Sequence, residues 1–368
     1  MHIENILIYQ VPVKLKEPFI ISLGQFTHAE NIVIEINCSN GLKGFGECSP
    51  FKTIHGESME TCYIVASYLA RVLIGLNPLA IQDAVIRMDT TIYGNNCIKS
   101  AFDMALYDIA SQHAAQPLYQ FLGGQLNKQL FTDYTISYDK FEKMVSDAII
   151  IKQKGFKIIK VKLGGSKNMD IARIKAIRKA IGYDIPLRID ANQGWQAEDV
   201  IEILNDLKDE NIQHCEEPIA RWNYMELPAI SRASPVKIMA DESCCDPHDA
   251  YRLIQLKAVD LFNIKLSKAG GIFKALQIIK MAAEANIYMQ LGGFLESRLG
   301  FTTAAHLAFS NEHIIYYDFD TPLMFEEDLV TGGITYSKGG LIEMPVSIGS
   351  GASIDEKYLR LLTHKNIR

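Results

Sequence analysis

The sequence lacks the segments that direct a chain into or across a membrane. It has no run of about 18 apolar residues, and its start, Met1 to Val11, has no basic segment followed by an apolar stretch. It also lacks blocks of like charge, and its formal net charge of -6 is small for 368 residues. These absences give no reason to expect a nucleic acid or a membrane as a partner. We therefore expect a cytoplasmic protein that acts on small molecules.

Cysteine patterns that hold a metal ion or a disulfide framework are missing too. The seven cysteines are odd in number and scattered, and none falls in a Cys-x-x-Cys or Cys/His pattern. Reduced thiols in a cytosol fit this arrangement. Cys215 and Cys244 stand beside acidic residues and could line a site, but buried free cysteines usually serve as small packing residues. We assign them no chemistry.

What the sequence does have is an ordinary globular composition, with 48% hydrophobic and 22% charged residues. Its length allows about two domains. Residues 3–47 contain alternating apolar and polar residues, with turn residues between them, as is typical of strands. Residues 59–122 contain apolar residues at helical spacing. Beyond residue 124, short β-rich runs alternate with helical stretches to about residue 317, which predicts a parallel sheet built from βα units.

The predicted domain organisation follows from this change of pattern. We predict an α+β capping domain over residues 1–125 and a barrel-shaped catalytic domain over residues 126–320. The tail, residues 321–368, is again strand-like, and we expect it to return to the capping domain.

Charged residues follow successive predicted strands at a regular spacing. They are Lys162, Asp190, Glu216, Asp241 and Lys265, at intervals of 28, 26, 25 and 24 residues. Each interval is about one βα unit. Because the carboxyl ends of the strands of a (β/α) barrel meet at one mouth, these five side chains are expected to share one site.

The three acidic residues of this series predict a magnesium site, with one ion per subunit. Asp190, Glu216 and Asp241 would stand on adjacent strands, and Mg²⁺ prefers oxygen ligands of this kind. The absence of histidine and cysteine from these strand ends argues against zinc. Any one of these acids alone could instead be a helix cap or an ion-paired loop residue, but the regular spacing of three disfavours that interpretation.

Lysines flank the predicted metal site. Lys160 and Lys162 lie two residues apart on one strand, so both side chains face the same side. Lys265 lies four strands further on, which is the opposite wall of an eight-stranded barrel. Lys268 is an alternative to Lys265, but it follows the strand. A neighbouring cation lowers the pKa of a lysine, and a neutral amine can then act as a base.

These motifs together resemble the muconate-lactonizing-enzyme subgroup of the enolase superfamily. The resemblance rests on the runs Lys160-Val-Lys162, Asp190-Ala-Asn, Glu216-Glu-Pro, Asp241-Glu-Ser and Asn263-Ile-Lys265. It implies a modified TIM barrel, (β/α)7β, capped by an α+β domain made from both termini. It also implies a soluble homo-oligomer and abstraction of a proton α to a carboxylate. The use of a lysine base with magnesium that stabilises an enediolate is a published pattern of this superfamily.

The eighth strand end indicates the kind of substrate. Asp318 and Asp320 lie two apart in an extended segment, and an ammonium group is the natural partner for such a pair. The same Asp-x-Asp is similar to the signature of dipeptide epimerases, in which it holds the substrate's amine. The resemblance then implies that Lys162 and Lys265 exchange the α-proton of the C-terminal residue from opposite faces, while Lys160 stabilises the negative charge.

The resemblance carries less detail about the substrate's second residue. Family members that act on Ala-Glu dipeptides have an arginine in a mobile loop, and here Gly24 stands about where it would fall. Together with Phe19 and other apolar loop residues, this favours a small or apolar second residue, as in Ala-Ala or Ala-Val, with cell-wall peptides as one expected source. Further predicted substrate-binding positions are Thr135, Gly293, Phe294 and Leu295. Two alternatives stay open: an o-succinylbenzoate synthase or cycloisomerase type of lyase, and a catalytically silent binding protein.

Overall fold

The computed structural model describes residues 1–368 as a small antiparallel sheet with helices beside a larger parallel sheet. The strands are β1 (Ile3–Ile21), β2 (Gly24–Cys38), β3 (Lys43–Cys48), β4 (Leu130–Phe131), β5 (Tyr134–Ile136), β6 (Ile159–Lys162), β7 (Leu187–Asp190), β8 (Ile212–Glu216), β9 (Ile238–Ala240), β10 (Leu261–Lys265), β11 (Tyr288–Gly292), β12 (Ile314–Tyr317), β13 (Val330–Gly332), β14 (Thr335–Tyr336), β15 (Leu341–Glu343), β16 (Ala352–Ile354) and β17 (His364–Ile367).

The helices alternate with strands through the middle of the chain. They are α1 (Met59–Leu73), α2 (Ile81–Thr91), α3 (Asn96–His113), α4 (Leu118–Phe121), α5 (Phe141–Gln153), α6 (Lys167–Ile181), α7 (Ala197–Asp206), α8 (Leu227–Ala233), α9 (Pro247–Leu256), α10 (Leu266–Ala269), α11 (Ile272–Glu284), α12 (Arg298–Ala308) and α13 (Glu356–Leu359), with three short 3₁₀ turns at Arg221–Glu226, Thr321–Met324 and Lys338–Gly340. No helix combines the length and apolar composition needed to cross a membrane.

The small sheet has the strand order β17-β1-β2-β3 and is antiparallel throughout. One face of β1, β2 and β3 packs on α1 and α3. Alternate apolar residues of these strands form a shared core with the helices. Close approach is possible because β3 carries glycine where it crosses α3. A β-carbon at Gly46 would overlap the carbonyl oxygen of Ala101.

The large sheet contains eight parallel strands in the order β12-β11-β10-β9-β8-β7-β6-β5. Helices fill all seven connections between successive strands, so the predicted (β/α)7β architecture is confirmed. The two edge strands approach each other, since the amide of Asp133 before β5 donates to the carbonyl of Tyr317 on β12 at 3.4 Å. The curled sheet encloses the largest apolar core of the molecule.

The C-terminal tail runs past both sheets. β14 pairs with β15 and β15 pairs with β4 beside the parallel sheet, while β17 pairs with β1 at the edge of the antiparallel sheet. The domain boundaries at residues 125 and 320 stay a prediction.

A buried carboxylate joins the antiparallel sheet to the barrel. Glu47 on β3 accepts hydrogen bonds from the backbone amides of Ser297 and Gly300, at 3.0 and 2.9 Å, and from the Ser297 hydroxyl at 2.8 Å. These amides belong to the N-cap residue and the first turn of α12. Amides at the start of a helix have no carbonyl partner within the helix. Asp103 on α3 contacts the start of α11 in the same way. The positive ends of two barrel helices therefore face acids of the capping part.

We predict that Glu47→Gln lowers the free energy of unfolding by about 2 kcal/mol, because a buried amide NH₂ would then face amide donors. Urea denaturation followed by circular dichroism measures the change. The matched control is Glu30→Gln, since Glu30 is exposed and its nearest cation, Lys52, is 3.8 Å away. A loss no larger than that of the control would contradict the role of Glu47 as the link between the two parts.

Candidate active site

The ends of neighbouring barrel strands bring the predicted charged residues together. In the strand register Lys162 lies opposite Asp190, and Asp190 lies opposite Glu216. Asp241 directly follows β9, and Lys265 is the last residue of β10. All five side chains are buried at the carboxyl end of the sheet. The spacing in the sequence therefore corresponds to one site in space, as the barrel geometry requires.

Lys160 forms the floor of this site. Its Nζ lies 2.8 Å from Glu216 Oε2, 2.7 Å from Asp318 Oδ2 and 3.3 Å from Asp190 Oδ2, and no part of the residue is exposed. Burial alone would lower the pKa of Lys160, but the surrounding carboxylates outweigh it and raise the pKa well above its ordinary value. Lys160 is a permanent cation between the strand-end acids and Asp318.

Lys162 and Lys265 face the same cavity from walls four strands apart. Lys162 Nζ lies 2.6 Å from Asp190 Oδ2, and Lys265 Nζ lies 2.7 Å from Asp241 Oδ2. Burial favours a low pKa for Lys265, yet the negative charges of Asp241 and Glu216 raise it above the ordinary value. This direction differs from the lowered pKa expected of a lysine base, because the neighbouring carboxylates outweigh both burial and the nearby cation Lys160.

Lys268, the alternative to Lys265 in the sequence, is buried behind Asp241. Its Nζ donates to the carboxylate and the carbonyl of Asp241 and, at 2.9 Å, to the carbonyl of Asn263. Glu217 holds the same loop from the other side by accepting the Asp241 amide at 2.7 Å. Asp241 is thus fixed by both neighbours, and Lys268 does not line the cavity.

The three strand-end carboxylates fit a hard divalent cation. Their donor atoms are all oxygens, which Mg²⁺ prefers. Asp241 Oδ2 is buried and forms no hydrogen bond, since the Lys265 ammonium contacts it as an ion pair outside the hydrogen-bonding direction. The lone pairs of this oxygen that no donor occupies could bind a divalent ion.

A second acidic group lies at the eighth strand end. The carboxylates of Asp133, Asp318 and Asp320 lie within 4.8 Å of one another, and all three residues are buried. Lys160 neutralises Asp318, and Arg188 Nη1 contacts Asp133 at 2.7 Å. Asp320 has no cation of its own: Oδ2 accepts the Thr135 amide at 2.6 Å and Oδ1 has no partner.

The surroundings of Asp318 and Asp320 shift the pKa values of these two residues in opposite directions. Burial and the neighbouring Asp318 raise the pKa of Asp320 to about 7. Burial also opposes ionisation of Asp318, but Lys160 and Lys162 outweigh it and hold its pKa well below the ordinary value. The ionised form is therefore favoured for Asp318, whereas for Asp320 it is favoured when a cation binds beside the carboxylate.

The hairpin between β1 and β2 closes the cavity. The Ser22 hydroxyl donates to the carbonyl of Asn192 at 2.7 Å, and the Tyr138 amide donates to the carbonyl of Ile20 at 2.9 Å. Among the predicted substrate-binding residues, those that line the cavity are Phe19, Thr135, Gly293, Phe294, Asp318 and Asp320. Gly24 is exposed at the hairpin, Leu295 is buried behind the wall and Lys160 is fully buried beneath the cavity, so none of these three lines it.

Other lining residues had no clear signal in the sequence. Phe51 and Ile54 come from the loop after β3, and Thr321 follows the Asp-x-Asp run. Asn192 stands in the quoted Asp190-Ala-Asn motif, so that motif could have indicated it. Asp133 could have been noticed as an acid at the start of a β-rich run.

Cys215 and Cys244 belong to the buried apolar core of the barrel and not to the cavity wall. Burial raises the pKa of both thiols, so each is a neutral packing residue.

The sequence matches two family descriptions that together cover most of the chain. Residues 3–123 match "Mandelate racemase / muconate lactonizing enzyme, N-terminal domain", and residues 143–358 match "Enolase C-terminal domain-like".

Individual relatives are similar over nearly their whole length. The D-Ala-D/L-Ala epimerase of Cytophaga hutchinsonii is 57% identical over 98% of both chains. The crystal structure of a dipeptide epimerase from the same organism, complexed with Mg and the dipeptide D-Ala-L-Val, matches with a TM-score of 0.99 at 56% identity over 100% of both chains. The substrate-liganded L-Ala-D/L-Glu epimerase of Bacillus subtilis matches with a TM-score of 0.93 at 37% identity, over 96% of this chain and 99% of that one.

We predict that Asp320→Asn and Asp318→Asn change thermal stability in opposite directions at pH 8 in EDTA without ligand. The raised pKa of Asp320 means that the folded chain holds a proton which the unfolded chain releases, so stability is lost as pH rises from about 4 to 7. Asp320→Asn removes this loss, and its melting temperature should exceed that of the wild type by a margin that grows over this range.

The lowered pKa of Asp318 has the opposite sign, because its ion pair with Lys160 contributes stability at all pH values above its unfolded pKa. Asp318→Asn should therefore melt below the wild type at pH 8. Differential scanning calorimetry at several pH values measures both variants. A lower melting temperature for Asp320→Asn at pH 8 would contradict the assigned charge balance.

Proposed function

Since the chain belongs to the mandelate racemase/muconate lactonizing enzyme family of the enolase superfamily, and is an isomerase like its epimerase and racemase relatives, we propose that it is a magnesium-dependent dipeptide epimerase. The observation that carries the proposal is the pair of buried lysines, Lys162 and Lys265, on opposite walls of one cavity that also contains Asp318 and Asp320. A substrate between them has a base on each face and an ammonium site at one end.

The ion would be held by Asp190, Glu216 and Asp241. Bound there, Mg²⁺ supplies Lewis-acid stabilisation of the negative charge that develops on the substrate carboxylate when the α-proton leaves. Glu216 is oriented for this role by Asn263 Nδ2, which donates to its Oε1 at 2.9 Å. Lys268 and Glu217 orient Asp241, as described above. The crystal structure of the Cytophaga relative, complexed with Mg, supports the assignment.

The substrate's ammonium group would bind at Asp318 and Asp320. Asp320 Oδ1 is the buried oxygen without a partner, and an ammonium donor satisfies it while favouring the ionised form of the carboxylate. Asp133 adds a third carboxyl group within 4.8 Å, which contacts Arg188. An amine-free substrate would leave Asp320 without a cation, which disfavours the lyase alternative.

The two lysines would then move the proton. One amine takes the α-proton of the C-terminal residue, and the ammonium on the opposite wall returns a proton to the other face, which inverts the stereocentre. Lys160, fixed by three carboxylates, adds a cation beside the developing enediolate. The hairpin covers the cavity, and exclusion of water beneath it would strengthen each of these electrostatic interactions.

The second residue of the dipeptide would be small or apolar. The cavity wall includes Phe19, Ile21, Phe51, Ile54 and Phe294. An acidic side chain has no spare arginine there to receive it, because the lysines in the cavity are already paired with carboxylates. The D-Ala-L-Val complex of the Cytophaga enzyme supports this preference.

We predict that the protein with Mg²⁺ in D₂O exchanges the C-terminal α-proton of Ala-Ala and Ala-Val, with loss of chirality at that carbon. Proton NMR follows the exchange, and polarimetry follows the chirality. Ala-Glu and Ala-Lys should react more slowly, because their charges would be buried among apolar residues.

N-acetyl-Ala-Ala is the control for the ammonium site. It should react at least about thirty-fold more slowly, since loss of one partner of a buried ion pair costs about 2 kcal/mol or more. Equal rates with and without the acetyl group would contradict the role of Asp318 and Asp320. No exchange with any dipeptide would favour the lyase or the silent binding protein.

A further inference from the structure

Three cysteines far apart in the sequence meet in the core of the capping part. Cys48 ends β3, Cys62 lies in the first turn of α1, and Cys97 is the second residue of α3. Their sulfur atoms all lie within 4.8 Å of one another, and none of the three residues is exposed. We refer to Cys48, Cys62 and Cys97 as the thiol cluster. It lies outside the active site and has no part in the proposed reaction.

The size of the thiol cluster suits a tetrahedral metal ion. Three sulfur ligands at about 2.3 Å from a zinc ion lie about 3.8 Å from one another. The observed sulfur–sulfur distances are all within 4.8 Å, so a contraction of at most about 1 Å brings the three sulfur atoms to this spacing. No other buried cysteine belongs to the group, so it offers three ligands and leaves a fourth position to another residue.

Glu57 is the candidate for that fourth position, because it contacts Cys62, although its oxygens do not lie within 4.8 Å of all three sulfur atoms. Its Oε2 lies 3.3 Å from Cys62 Sγ and accepts the Ile98 amide at 3.2 Å, while its Oε1 accepts the Cys97 amide at 2.9 Å. Oε1 keeps a free lone pair for an ion, and Oε2 regains one when the Cys62 thiol loses its proton. Glu57 also caps α3, whose N-cap residue Asn95 makes no side-chain capping bond.

The chemistry of these ligands selects a thiophilic ion. Cysteine thiolates favour Zn²⁺, whereas Mg²⁺ prefers oxygen ligands, so the two ions would not compete for one site. Three thiolates and a carboxylate leave a net negative charge around a divalent ion. The N-terminus of α3 carries partial positive charge beside Cys97 and partly offsets it.

We propose that the thiol cluster binds one zinc ion, held by its three thiolates and the Glu57 carboxylate, as a structural site of the capping part. Each thiol releases its proton to solvent when it binds the ion. The ligands stand at both ends of loop 49–58, because Cys48 precedes the loop and Glu57 lies at its far end. Phe51 and Ile54 of this loop line the active-site cavity. The ion therefore fixes the loop that carries part of the substrate-binding wall.

The test measures zinc in the full-length protein, produced in zinc-supplemented medium and purified without chelators. Plasma mass spectrometry should find one zinc per chain that survives dialysis, and the Cys62→Ala variant should retain less than a tenth of it. Cys38→Ala is the matched control, since Cys38 is equally buried in the same part but outside the cluster. This control should keep the full zinc content.

Cobalt(II) provides a measurement on the wild-type protein that does not depend on a variant folding. Co²⁺ bound in place of zinc should show the intense sulfur-to-cobalt charge-transfer absorption and the visible bands of a tetrahedral thiolate site. Absence of this absorption would overturn the proposal. So would an equal zinc content in wild type and Cys62→Ala, which would indicate an adventitious ion only.

Discussion

The pairing of buried charges at the mouth of the barrel is the constraint on which the site depends. Four lysines lie there with almost no exposure: Lys160, Lys162, Lys265 and Lys268. A buried ammonium group is costly unless carboxylates lie beside it, and removal of one partner leaves the other uncompensated. The strand register meets this requirement, because it sets Asp190 beside Lys162 and the carboxylate of Glu216 beside Lys160. The same charged side chains therefore stabilise the fold and form the proposed catalytic site.

The same balance connects the proposed metal site to the proposed base. Lys265 now has its pKa raised by Asp241 and Glu216, two of the carboxylates that would hold magnesium. When these carboxylates share their charge with a divalent ion, the ammonium form of Lys265 loses part of its stabilisation and its pKa falls toward the range useful for proton transfer. The acidic group around Asp320 depends on charge in a similar way, since it lacks one positive charge that a substrate amine would supply.

The sequence predicted the parts of this molecule that depend on periodicity. The βα interval located Asp190, Glu216 and Asp241 on adjacent strand ends, because barrel geometry converts a regular spacing into proximity. It could not reveal Phe51, since the position of this residue depends on how the loop after β3 crosses from the antiparallel sheet to the cavity. The thiol cluster was missed for the same reason: its members come from a strand and two helices, and no local pattern joins them.

The central claim is that Lys162 and Lys265 exchange one proton from opposite faces of the substrate. The most direct measurement is α-proton exchange in D₂O with Lys162→Met and Lys265→Met, starting from each epimer of Ala-Ala separately, with the exposed Lys280→Met as control. The account predicts that neither active-site variant inverts the stereocentre, and that each still exchanges the proton of one epimer only, a different epimer for each variant. Inversion at the wild-type rate in either variant, or exchange of the same epimer by both, would contradict it.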